Sequence, residues 1–127
     1  MTNDAGLHEP EDRISPETAD RHRAIVSLEE ELQAIDWYDQ RVDATGDASL
    51  AAVLAHNRDE EKEHAAMLLE WLRRHDVVLD RNLRTYLFTV TPITGIEAEA
   101  EAKLPGDSEA PGVAGTFGVG SLRGESL

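Results

Sequence analysis

The chain has 127 residues, enough for one small domain, and its formal net charge of −14 repels the phosphates of nucleic acid. It holds no cysteine, which excludes disulfides, thiol catalysis and iron–sulfur clusters. No apolar run approaches the ~20 residues of a bilayer-spanning helix, and the acidic stretch Met1–Glu11 lacks a signal peptide's apolar core, so a cytosolic protein is expected.

Residues 1–14 read as a polar lead-in. Ser15-Pro16-Glu17 then carries three helix-start signals: a hydroxyl cap, proline at the first helical position and an acid in the first turn. The spacing predicts a long helix to about Thr45, with Gly46 offering a left-handed cap. Asp47 can cap a second helix running to about His75. So short a link makes the two helices antiparallel neighbours. Asp76 and Asp80 frame a turn into a shorter helix over about Asp80–Phe88, which Thr91-Pro92 ends. Beyond Ile93 the chain turns to glycine, alanine, proline and acid. Residues 93–127 read as a flexible tail that buries too little apolar surface to fold.

On a 3.6-residue wheel, Ala24, Leu28, Ile35 and Val42 form one stripe of the first helix, with Ile25 and Leu32 beside it. Glu31 and Tyr38 fall on that stripe, whereas Glu29 and Glu30 point away. In the second helix Leu50, Leu54, Leu68 and Leu72 make the stripe, with Ala65 adjacent. Glu61 and His64 sit at its centre and Asn57 one turn before. A glutamate and a histidine three apart share a helix face and can reach one metal ion. A carboxylate on an apolar face costs several kcal/mol unless it is paired or metal-bound.

Two explanations fit: a metal site, or a salt-bridge and hydrogen-bond cluster inside a helical hairpin. Neither stripe carries a lysine or arginine to neutralise Glu31 and Glu61, which favours metal. Two helices cannot surround an ion, and a lone hairpin leaves its stripes half-covered. A two-fold pairing of hairpins answers both problems. It yields four helices, four carboxylates and two imidazoles, the pattern of the carboxylate-bridged di-iron bundles. Oxygen-rich ligation with one imidazole per metal suits iron or manganese rather than structural zinc. The expected fold is therefore all-α: an antiparallel two-helix hairpin over residues 15–92 with a short third helix, dimerising into a ferritin-like four-helix bundle.

Trp37 lies opposite the stripe, with Glu30, Ala34 and Arg41. It either rests on basic side-chain stems or marks a second interface, which would make the assembly larger than a dimer. His22 and His56 fall off the stripes. His75 sits where a helix C-terminus favours positive charge, and His8 lies in the lead-in.

The segments His22–Leu28, Ile35–Arg41 and Leu54–Met67 closely resemble the encapsulated ferritins, cargo proteins of encapsulin nanocompartments. Glu70–Arg74 and Tyr86–Thr89 extend the match, which covers about residues 8–96. The resemblance implies a ferroxidase centre of Glu31, Glu61 and His64 formed between two subunits, with Tyr38 matching a tyrosine beside it. It implies a di-iron cofactor, oxidation of Fe(II) by dioxygen, and a decameric ring of five dimers, in which Trp37 would serve an interface. Mineral would collect in the encapsulin shell, making the shell protein a partner and the nanocompartment lumen the location. Glu30 matches an acidic residue of an auxiliary site where metal enters. Gln33 stands where the family usually has glutamate, which weakens that site's ligation and negative potential. In the tail, Val119-Gly120-Ser121-Leu122-Arg123-Gly124-Glu125 looks like the family's encapsulin-targeting peptide, with Val119 and Leu122 suited to an apolar groove. Taken alone, the same tail reads as a frayed terminus.

The expected function is thus a ferroxidase feeding iron storage inside an encapsulin. Its rivals are another di-metal enzyme on the same bundle, handling manganese or peroxide, and a non-enzymatic helical adaptor whose acidic core fixes register.

Overall fold

Ser15 begins the first long helix as its sequence predicts. Its side chain accepts a hydrogen bond from the Thr18 backbone N–H at 3.1 Å, and Pro16 takes the first helical position. The structure, a computed structural model, describes residues 6–107 and contains no strand among them. A single 3-10 turn at Glu11–Arg13 precedes α1, Pro16–Ala44. Three further helices follow: α2, Ala48–Arg74; α3, Val77–Tyr86; and α4, Ile93–Asp107.

Thr45-Gly46-Asp47 joins α1 to α2. Gly46 is not left-handed, contrary to the cap expected of it; α1 instead leaves through an extended Thr45 (φ −77°, ψ 141°), whose N–H bonds to the Arg41 carbonyl. An extended exit suffices because Asp47 at once caps α2, accepting from Ser49 N at 2.9 Å and Leu50 N at 3.3 Å.

Cross-helix contacts fix the direction of the hairpin. Arg21 reaches the His75 carbonyl, Glu31 meets His64 and Asp39 meets Arg58, so α2 runs back along α1. Ala24 and Ala65 are buried, and their small side chains allow close approach. Leu72 is the one other buried apolar residue of α1 and α2, and no large side chain among the described residues is fully enclosed. Leu50 on the α2 stripe is 46% exposed, and beside the α1 stripe Leu32 and Ile25 are about as open. The hairpin alone therefore leaves its apolar faces half-covered, as the wheel predicts. Leu28, Leu32, Ile35, Ala65, Ala66 and Leu69, with Lys62 at the rim, line a groove of about 430 Å³ along the seam.

The third helix starts earlier than expected because Asp76, rather than Asp80, caps it; Asp76 Oδ1 accepts from Leu79 N at 2.9 Å. Asp80 instead bonds Arg73 of α2. Phe88, just past the end of α3, is left-handed (φ 62°). The helix α4 corrects the reading of residues 93–107 as flexible tail. The remainder of that tail, including Val119–Glu125, lies outside the described residues, as do residues 1–5 of the lead-in. The chain forms two compact units, one through Asp80 and one from Arg81 onward.

Candidate metal centre

Glu31 comes from the middle of α1, and Glu61 and His64 from the middle of α2. The i,i+3 spacing on α2 sets Glu61 and His64 side by side, with His64 Nδ1 3.2 Å from Glu61 Oε1. The register of the hairpin then brings Glu31 across, its Oε1 3.6 Å from the same Nδ1. One ligand atom from each residue lies within 4.8 Å of the other two, and this is the one such group of three among the described residues. The side chains of Glu31 and Glu61 are about three-quarters covered, that of His64 little more than half. The trio thus sits in the seam and opens to one side.

Their electrostatics are those of two carboxylates lacking a counter-cation. A hydrogen bond with Glu61 holds Glu31's carboxyl above its usual range, helped by burial and by the Glu61 charge. The same bond, followed by one from His64, pulls Glu61 below its usual range. His64 is raised, first by its hydrogen bond to Glu61 and then by the charges of both glutamates. Burial and the Glu61 charge thus make a second carboxylate costly beside the first, a cost that a multivalent cation between them would offset. Among the described residues no lysine or arginine forms an ion pair with either glutamate.

Other candidates fall elsewhere. Tyr38 is half-buried two turns beyond Glu31 on the same stripe, with the Arg41 guanidinium 5.7 Å from its ring centroid. The same guanidinium stands 5.9 Å from the centroid of Trp37, which is 47% exposed, so Trp37 does rest on a basic stem while keeping a free face. Trp37, Gln40 and Arg41 line a shallow depression of about 250 Å³. Glu30 is exposed and outside the trio. His56 pairs with Glu60 at 3.3 Å, and His75 stacks on Trp71 with centroids 3.8 Å apart. The wheel did not reveal the cross-helix pair Arg58–Asp39 (3.0 Å) that helps fix the register.

Comparison with known proteins places this geometry in context. Residues 6–90 match the family described as EncFtn-like. An encapsulated ferritin-like protein of Rhodospirillum rubrum is 58% identical over 94% of this chain and 89% of its own. The encapsulin nanocompartment cargo protein EncC of Myxococcus xanthus is 43% identical over 40% of this chain and 39% of its own. Among solved structures, protein ne0167 from Nitrosomonas europaea superposes with a TM-score of 0.68 at 62% identity, covering 69% of this chain and 97% of that one.

Proposed function

Because this chain belongs to the EncFtn-like family, we propose that it is a ferroxidase, oxidising Fe(II) to Fe(III) with dioxygen at a di-iron centre shared between two subunits. The observation that carries the reading is the convergence of Glu31, Glu61 and His64 from two helices, with no lysine or arginine among the described residues paired to the two glutamates. Two carboxylates and one imidazole, open on one side, make half of a di-iron ligand set. A second copy facing the first across a two-fold axis completes it with four carboxylates and two imidazoles, and covers exposed apolar residues beside the stripe such as Ile25 and Leu32.

Iron is here the substrate. Glu31 bridges the two ions, Glu61 binds and His64 fills a terminal position through a ring nitrogen. Glu31 and His64 both hold protons more tightly than free side chains, so protons compete with iron for these ligands and uptake weakens as pH falls. Each pair of Fe(II) ions gives up two electrons; dioxygen takes them with two protons to give hydrogen peroxide, and two Fe(III) ions leave for storage. The protein's part is to hold two irons at one distance and to leave coordination positions open on the exposed side. Tyr38 stands at the far edge of the site, Glu30 offers an outer carboxylate for arriving metal, and Trp37 serves a second contact between copies in a larger ring. The tail segment Val119-Gly120-Ser121-Leu122-Arg123 docks the protein inside an encapsulin shell. Support for this last step comes from the cargo name of the Myxococcus relative and the encapsulated name of the Rhodospirillum one.

The test is an anaerobic Fe(II) titration followed by sedimentation. One iron per chain, bound together with formation of dimers or larger assemblies, supports the reading. Binding without assembly, or binding that a Glu31→Ala variant keeps in full, contradicts it. The adaptor alternative draws on the same trio, whose hydrogen bonds are satisfied without metal; it predicts assembly that is indifferent to iron.

A further inference from the structure

We propose that Met67 is an oxidation site: its thioether takes the oxygen atom of peroxide released at the Glu31–Glu61–His64 centre and becomes methionine sulfoxide. The inference rests on the ferroxidase reading and extends it to the fate of its reduced-oxygen product.

The placement comes from helix geometry. Met67 follows His64 by three residues on α2, so the two side chains are neighbours on one flank of the helix, with Cβ atoms about 5–6 Å apart. His64 is the most open of the three ligand side chains, and Met67, 58% exposed in the single chain, lies on the far side of His64 from the Leu68–Leu72 stripe that a second copy covers. A peroxide leaving past His64 therefore meets the Met67 sulfur within one helical turn. A methionine left this open is unusual for a residue whose common use is to fill core gaps.

Other oxidisable side chains of the hairpin are differently placed. The Arg41 guanidinium stands 5.7 Å from the Tyr38 ring centroid and 5.9 Å from that of Trp37. A cation beside a ring opposes removal of an electron from it, because the ring would become a cation too. Trp71 has one face covered by the stacked His75 ring. Met67 needs no electron removal in single steps. Its sulfur lone pair attacks one peroxide oxygen, the S–O bond forms as the O–O bond breaks, and the departing hydroxide leaves as water with the second proton. Sulfur is oxidised by two electrons, peroxide is reduced by two, and the product is reversible by sulfoxide reductases.

The experiment loads the full-length protein with Fe(II) in air, with free N-acetylmethionine as reference and with or without catalase. Fe(III) absorbance and peptide mass spectra are read from the same samples. The expected result is Met67 sulfoxide severalfold above sulfoxide in the reference, with catalase suppressing the reference but sparing most of the Met67 product. A Met67→Leu variant should oxidise iron at the same rate and release more peroxide to solution. Fe(III) formation with Met67 unmodified, or modified only in proportion to the reference, overturns the inference and leaves the ferroxidase reading standing. Absence of Fe(III) formation overturns both.

Discussion

His64 Nδ1 lies 3.6 Å from Glu31 Oε1, so a ring on α2 meets a carboxylate on α1 across the hairpin seam. Glu61 and His64 are neighbours by helical spacing alone, but Glu31 joins them only when the helices pack in one register. The trio therefore reports correct folding of the hairpin as well as ligand chemistry.

Replacing Glu31 by glutamine keeps the shape of the side chain and removes one ligand charge. A Glu31→Gln chain should lose at least about tenfold in divalent-metal affinity, since even outer partners of metal ligands cost that much. Its metal-free helicity should not change, because glutamine is nearly isosteric and its amide can donate to Glu61 in the same place. Calorimetric titration with Co(II) and circular dichroism check both points; unchanged affinity would place the metal elsewhere.

Acid should weaken metal binding from an unusually high pH. Glu31 is raised above its ordinary 4.5, chiefly by the bond with Glu61, and His64 above 6.5, chiefly by its bond to Glu61. The metal-free fold keeps both protons longer than the free side chains would, and an incoming ion must expel them. In the metal-free chain the His64 contribution to stability is full below 6.5 and is lost as pH rises through its raised folded value. Glu61, depressed, acts in the opposite sense: its contribution is present above 4.5 and is lost on acidification. Co(II) affinity measured across this range should fall steadily with acid, starting above 6.5. Affinity that is flat until 4.5 would contradict the raised His64 and Glu31.

The end of α2 is tied by Glu70, which accepts from Arg73 at 2.8 Å and from Arg74 at 2.6 Å, while Arg73 also bonds Asp80 in the first half of α3. These bonds, Arg73's foremost, pull the Glu70 carboxyl from 4.5 down to about 2. Its stabilisation is present above 4.5 and is lost as pH falls toward 2. The side chain is 42% exposed, so solvent screening limits its contribution to about 1 kcal/mol. Glu70→Gln should lower the melting temperature by a few degrees at neutral pH, and the difference should vanish near pH 2.

Leu32 lines the apolar groove and is 53% exposed, so its substitution removes little from the isolated hairpin. If a second copy covers that face, Leu32→Lys buries a charge at the contact. Sedimentation velocity should show the variant shifted to smaller species with helicity intact. Unchanged assembly would free this groove from the interface.

Removing residues 113–127 should leave iron oxidation intact and abolish loading into an encapsulin shell, measured by co-purification. Loss of oxidation would instead make the tail part of the site.

The sequence made the hairpin readable because its signals are local. Ser15-Pro16 and Asp47 act as caps through bonds within three residues, and the stripes follow from a fixed period. The pairing of Glu61 and His64 was readable for the same reason. Non-local choices were harder. Asp76 and Asp80 are equally good caps in isolation, and Arg73 on the preceding helix decided between them by engaging Asp80. The helix α4 was missed although Glu97-Ala98-Glu99-Ala100-Glu101-Ala102-Lys103 is made of strong helix formers. The glycine-rich stretch that follows masked the signal, and Pro92, read as a breaker, immediately precedes the new helix.

The most direct test mixes metal-free protein with Fe(II) in air and follows Fe(III) absorbance beside a Glu31→Ala, Glu61→Ala, His64→Ala triple variant. The account predicts fast oxidation by the native chain and the slow rate of free iron for the variant. Equal rates in the two would contradict a ferroxidase centre built from these three residues.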